Sequence, residues 1–146
     1  MPILKKSIIL FILLLCAHAT LWASEDLIIE QAWIREGPPR ATVLAGYLTI
    51  KNTGASDHTL LSASSPQFEV TEMHESFEEN GMARMRKHDR LIIPARGQLK
   101  FTPSAYHLML MDPFQRIRAG TDVRLILEFD GLAPITVTAP VKRKID

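Results

Sequence analysis

Hydrophobic and polar positions alternate along much of this chain after residue 26, which is the period of β-strands rather than of helices. In the segment VRLILEF, for example, Val123, Leu125, Leu127 and Phe129 share one face. No stretch combines a helical period with helix caps. The pattern predicts ten short strands, at residues 27–34, 43–52, 58–64, 68–77, 82–88, 90–94, 98–101, 106–112, 122–130 and 134–141.

The segments between these strands carry turn residues, as in GPPR, NTGASD, ENG and RAGTD. Many short strands separated by such turns are typical of antiparallel sandwiches and Greek-key barrels. No internal repeat is visible. We therefore expect a single all-β domain with an antiparallel Greek-key sandwich or barrel architecture.

The N-terminus has the layout of a secretory signal peptide. Two lysines precede an uncharged run, residues 7–24, that begins SIILFILLLCA and ends with small residues. We expect cleavage after Ala19 or Ala23. This divides the chain into a signal peptide, residues 1–23, and one exported domain, residues 24–146.

Two alternatives for this segment are less favoured. The apolar run approaches the length of an uncleaved membrane anchor, but His18 and the alanine-rich end of the run argue against one. Lipid attachment at Cys16 is not expected, because the preceding Leu15 is bulky where a lipoprotein signal has a small residue.

Removal of the signal peptide changes the chemistry that the chain can perform. The remaining 123 residues carry 15 basic and 16 acidic side chains, a net charge of −1, so nothing indicates nucleic-acid binding. Cys16 is the only cysteine and leaves with the signal peptide. Any metal site in the exported domain must therefore use nitrogen, oxygen or thioether sulfur.

Methionine and histidine cluster in one part of the exported domain. All five methionines other than Met1, and three of its four histidines, lie between residues 73 and 111. Methionine often only fills gaps in a core, and histidine is common on surfaces. The predicted strand geometry helps to choose between packing and metal binding.

The sequence Asn80-Gly81 between two strands is a strong signal for a two-residue hairpin. Counting back from this turn places His74 and Met85 on one face as diagonal neighbours, about 7 to 8 Å apart. Met73 and Met82 then fall on the other face, where we expect plain packing.

The strand YHLMLMD offers a second pair of candidate ligands. His107, Met109 and Met111 point to one side, and Leu108 and Leu110 point to the other. Sandwich packing is one way in which this strand and the hairpin would meet. Two imidazoles with two neutral thioethers would select a soft ion, and Cu(I) is the best match.

Imidazole must be neutral to bind a metal ion, and its ordinary pKa is about 6.5. We therefore predict that Cu(I) affinity falls as the pH is lowered from 7 to 5. Competition titrations with a Cu(I) chelator across this range measure the effect. A flat profile would count against a site with two histidine ligands.

The residues also carry a family resemblance. His74, Met85, His107 and Met109 match the H-x10-M-x21-H-x-M signature of the periplasmic PCu(A)C copper chaperones. The chain is similar to this family across the exported domain, in segments such as AWIR, GYLTIKNTG, EMHES, LIIPARG and YHLMLM.

The resemblance implies a cupredoxin-like fold that binds one Cu(I) ion per chain through those four residues. It implies a periplasmic, non-enzymatic protein that hands copper to an acceptor by ligand exchange. The acceptor would be the copper domain of a cytochrome c oxidase subunit or a thioredoxin-like assembly factor. We expect a monomer that meets the membrane only through this partner.

Other functions remain as alternatives. A blue-copper electron carrier needs a cysteine thiolate, which the exported domain lacks. A copper enzyme would favour more imidazole ligands. Copper storage or tolerance, and a metal-free β-sandwich that binds another molecule, stay open. Among the remaining residues, Met111 is expected to line the sheet or the rim of the site, and His88 is expected to be solvated within a basic cluster.

Overall fold

The computed structural model describes residues 26–143, and these residues contain ten β-strands and no helix. No helix that is long and apolar enough to span a membrane occurs in this part of the chain. The predicted signal peptide, residues 1–23, lies outside the described residues. The strands are β1 Leu27–Arg35, β2 Val43–Asn52, β3 His58–Ser64, β4 Phe68–Glu79, β5 Met82–His88, β6 Leu91–Ile93, β7 Gln98–Phe101, β8 Tyr106–Pro113, β9 Asp122–Phe129 and β10 Ile135–Lys142.

The strands form one continuous sheet in the order β5-β4-β8-β7-β2-β1-β10-β9-β3-β6. Strand β8 also pairs with β2. Most neighbours are antiparallel, and the parallel pairs are β1 with β10 and β7 with β8. Among the strands of residues 26–143 the sheet is not closed, because β5 and β6 each have a neighbour on one side only. The all-β fold class predicted from the sequence is confirmed.

A single hydrophobic core fixes which way each strand faces. Leu108 and Leu110 of β8 and Leu125 and Leu127 of β9 are fully buried in it. Burial of each such side chain stabilises the fold by about 1.5–3 kcal/mol. Because side chains alternate along a strand, the leucines of β8 force the residues between them onto the opposite face.

The hairpin between β4 and β5 has the predicted turn. Asn80 and Gly81 both have positive φ, 53° and 74°, as a type I′ turn requires. The resulting register pairs Ser76 with Met85 and His74 with Lys87. The predicted register is thus confirmed, and it sets where each residue of β5 points.

Strand β8 lies directly beside β4 in the same sheet. Their register places His74 opposite His107 and Glu72 opposite Met109. The hairpin and β8 therefore meet as hydrogen-bonded neighbours, and not across the interface of a sandwich. The sequence could not show this adjacency, because β6 and β7 lie between β5 and β8 along the chain and no local pattern spans them.

Candidate metal centre

All four residues of the sequence signature lie on one face of three adjacent strands. Residues directly opposite on paired strands share a face, as do alternate residues of one strand. The registers of β5 with β4 and of β4 with β8 therefore put His74, Met85, His107 and Met109 together, on the face away from Leu108. The ring centroids of the two histidines are 6.0 Å apart.

A backbone carbonyl just before β8 determines which ring nitrogen of His107 carries the lone pair. The His107 side chain is buried, with 6% of the residue exposed. Its Nδ1 atom lies 3.1 Å from the carbonyl oxygen of Ala105. A carbonyl oxygen only accepts, so Nδ1 carries the proton and donates. The lone pair is therefore on Nε2, which is the nitrogen free to bind a metal ion.

In His74 the proton and the lone pair are on the opposite nitrogens from those in His107. Its Nε2 atom lies 2.8 Å from a carboxylate oxygen of Glu72 and donates a hydrogen bond to it. The lone pair is therefore on Nδ1. Within the described part of the chain, this buried atom has no hydrogen-bond partner. A buried lone pair without a donor is costly, and a bound metal ion would satisfy it.

The spacing of the rings fits one shared ion. Bonds between metal and imidazole nitrogen are about 2 Å long, so two rings on one ion have centroids up to about 6 Å apart. The observed 6.0 Å lies at this limit. The thioethers differ in access, because Met109 is partly buried whereas 55% of Met85 is exposed.

Glu72 and Lys87 add a balanced pair of charges to this face. The Lys87 ammonium lies 2.6 Å from the second carboxylate oxygen of Glu72. This hydrogen bond, followed by the one from His74, lowers the pKa of Glu72 below its ordinary value. The same bond raises the pKa of Lys87. Both groups are therefore ionised at neutral pH, and their charges compensate each other.

The donor set is unusually soft for a metal centre. Residues 26–143 contain no group of three or more His, Cys, Asp or Glu side chains that could hold a metal ion. Because Lys87 and His74 engage the Glu72 carboxylate, the candidate donors around the two rings are the two imidazoles and the thioethers of Met85 and Met109. Such a set is suited to Cu(I) and is a poor match for Mg²⁺, Ca²⁺ or Zn²⁺.

Three further expectations can be compared with the structure. Met111 continues the same face, opposite Val70, and is partly buried as a rim residue would be. Met73 is buried in the core as predicted, but Met82 is 52% exposed, so its predicted packing role is wrong. Met82 follows directly after the hairpin turn, where the strands extend past the core.

The prediction that His88 is solvated is also wrong. Its side chain is mostly buried, and its Nε2 atom lies 2.8 Å from a carboxylate oxygen of Glu75. Its ring meets the ring of Tyr106 edge to face at 5.4 Å. His88 pairs with Met73 and so lies on the face away from the metal centre. Its role in the structure is packing and hydrogen bonding.

Sequence reasoning missed the roles of Glu72 and Lys87. Both residues lie two positions from a signature residue on a strand, and so on the same face as it. This spacing was the available signal. Their mutual contact depends on the β4–β5 register, which the hairpin turn also determines.

Comparisons with known proteins relate the chain to a family whose members are named as putative lipoproteins. The family model described as "Putative lipoprotein LpqE-like" matches residues 27–141. A "putative lipoprotein" of Leifsonia xyli subsp. xyli is 28% identical over 115 residues, which are 78% of this chain and 68% of that protein. An uncharacterized protein of Rickettsia prowazekii is 30% identical over 87 residues, which are 59% of this chain and 48% of that protein.

Similar solved structures are PCuAC domains and a related bacterial protein. The copper-bound PCuAC domain from PmoF2 has a TM-score of 0.70 and 20% identity, and the match covers 84% of this chain and 97% of the domain. The Cu(I) form of DR1885 from Deinococcus radiodurans has a TM-score of 0.68 and 27% identity, with 85% and 83% covered. Its apo form has a TM-score of 0.63 and 28% identity, with 82% and 80% covered. The chain thus shares the cupredoxin-like fold of these proteins.

Proposed function

This chain belongs to the LpqE-like family, and from that membership and the geometry of its metal centre we propose that it is an exported copper metallochaperone. It binds one Cu(I) ion per chain through His74, Met85, His107 and Met109. It is a carrier and not an enzyme. The relatives named as lipoproteins and the predicted signal peptide both support a location outside the cytoplasm, in the periplasm.

One observation carries this proposal. Two histidines, each with one ring nitrogen left as an acceptor, and two methionines lie on one face of three paired strands. The carboxylate beside them, Glu72, is engaged by Lys87 and His74. These donors stabilise the monovalent ion over harder cations. The Cu(I) form of DR1885, at 27% identity, supports the same choice of ion.

The exposure of the ligands favours transfer over storage. Met85 is the most accessible of the four, and His107 is the most buried. An acceptor can therefore approach at Met85 and replace its thioether first, before the imidazoles release the ion. Neutral thioethers make this exchange easier, because they lack the charge attraction of a thiolate. A cuprous ion need not be free in solution at any step.

We assign the acceptor from the family resemblance noted in the sequence. It is the copper domain of a cytochrome c oxidase subunit, or a thioredoxin-like assembly factor. The chaperone itself is proposed to act as a monomer.

The proposal is tested by adding Cu(I) to protein with ¹³C-labelled methionine methyl groups. We expect the methyl signals of Met85 and Met109 to shift by one equivalent of copper. Those of Met73 and Met82, on the other face, should stay in place and act as internal controls. Native mass spectrometry should show one copper ion per chain. Absence of a bound ion, or shifts at Met73 and Met82 instead, would refute the assignment.

A further inference from the structure

Within residues 26–143, Glu72 is the carboxylate in direct contact with a proposed copper ligand. One of its oxygens accepts a hydrogen bond from Nε2 of His74 at 2.8 Å, and the other accepts one from Lys87 at 2.6 Å. In the strand register Glu72 lies opposite Met109. It therefore sits beside two of the four proposed ligands while its own oxygens are both engaged.

We propose that Glu72 is a positioning residue that holds the His74 ring with its proton on Nε2 and so presents Nδ1 to copper. This inference rests on the proposed function, because it specifies how one ligand of that site is prepared. It also assigns different nitrogens to the two histidines. Copper meets Nδ1 of His74 and Nε2 of His107.

The contacts of the His74 ring support this assignment. An ionised carboxylate can only accept a hydrogen bond, so the contact with Glu72 leaves no other tautomer for a neutral ring. The remaining nitrogen, Nδ1, is buried and has no partner among the described residues. Metal-binding histidines generally donate their second nitrogen to a carboxylate or a backbone carbonyl, which orients the ring. Here Glu72 accepts this hydrogen bond from His74, and the Ala105 carbonyl accepts it from His107.

Lys87 holds Glu72 in place for this task. It projects from β5 at the position opposite His74 and contacts the Glu72 oxygen that the ring does not use. The carboxylate is thereby fixed between two strands. Met85 also lies on β5, and His74 lies on β4. The Lys87–Glu72 contact therefore links the strand of Met85 to the strand of His74.

The tautomer of His74 can be observed directly in the ¹⁵N-labelled exported domain, residues 24–146. Long-range ¹H–¹⁵N correlation spectra at neutral pH should show the wild-type ring with its proton on Nε2 alone. Added Cu(I) should shift the Nδ1 signal of His74 and the Nε2 signal of His107. A proton on Nδ1 of His74 in the metal-free protein, or a larger copper-induced shift at its Nε2 than at its Nδ1, would overturn the inference while leaving copper binding intact.

Substitutions separate positioning from a merely structural role. Glu72→Ala should weaken Cu(I) binding by about 10- to 100-fold and allow both tautomers. Glu72→Gln should bind Cu(I) more tightly than Glu72→Ala, because its amide oxygen can still accept from Nε2, but less tightly than the wild type, because Lys87 competes for that single oxygen. Wild-type affinity and spectra in Glu72→Ala would overturn the inference. If the wild-type protein does not bind Cu(I) at all, the proposed function itself is refuted.

Two control variants distinguish the loss of positioning from a general effect of charge. Glu75 lies on the same strand as Glu72 but on the opposite face, where its carboxylate contacts Nε2 of His88 at the same 2.8 Å distance. Glu75→Ala removes this carboxylate. It should leave Cu(I) affinity unchanged. The double variant Glu72→Ala with Lys87→Ala should bind as weakly as Glu72→Ala alone. Recovery of wild-type affinity in the double variant would assign the loss to the unpaired Lys87 charge and overturn the inference.

Discussion

Replacing His107 with alanine is expected to weaken Cu(I) binding by about two orders of magnitude or more. Loss of a residue that only orients a ligand typically costs about 10- to 100-fold in metal affinity, and His107 is proposed to bind the ion directly. Its Nε2 lone pair is already oriented by the Ala105 carbonyl, and alanine offers no donor in its place. Anaerobic competition with a chromophoric Cu(I) chelator measures the change.

A matched control for this variant lies on the same three strands. His88→Ala removes a mostly buried imidazole whose ring faces away from the metal centre. It should leave Cu(I) affinity at the wild-type value. Met109→Ala should weaken binding in the same direction as His107→Ala. Unchanged affinity in both His107→Ala and Met109→Ala would contradict the site.

The second large effect concerns stability and the other face of β8. Leu110→Ala should reduce the free energy of unfolding by about 2–5 kcal/mol, because it opens a cavity in a close-packed core. Leu110 is fully buried and belongs to the single core cluster. Urea denaturation of the metal-free protein gives the difference. The Cu(I) affinity of the folded Leu110→Ala protein should remain that of the wild type.

Met109, next to Leu110 on β8, should show the opposite pattern of stability and Cu(I) affinity. Met109→Ala should change the free energy of unfolding far less than Leu110→Ala, because Met109 is only partly buried and lies outside the core cluster. It should instead weaken Cu(I) binding. Leu110→Ala would thus lower mainly the stability, and Met109→Ala mainly the Cu(I) affinity. Equal losses of stability in the two variants would contradict the assignment of their faces.

Much of this arrangement could be predicted because it depends on local rules. Alternation of side chains placed all ten strands within about two residues of their observed ends. The turn at Asn80-Gly81 fixed the register of β5 against β4, since both positions require positive φ. His107 and Met109 share a face by simple alternation, once Leu108 is assigned to the core.

The remaining features depend on contacts between distant parts of the chain. The pairing of β4 with β8 is such a contact, and no local pattern reveals it. The errors at Met82 and His88 have the same origin. Exposure at Met82 depends on where the core ends, and burial at His88 depends on the ring of Tyr106 on β8. Sequence patterns identify faces, but they do not determine how deeply each residue is covered.

The position of β5 at the edge of the sheet has a consequence for solubility. An edge strand exposes unpaired backbone groups and is a template for aggregation with a second copy. All residues of β5 from Met82 to Lys87 are exposed, and Arg84 and Arg86 are among them. Edge-to-edge approach of two molecules would bring these like charges together. We therefore expect electrostatic repulsion to disfavour self-association along this edge.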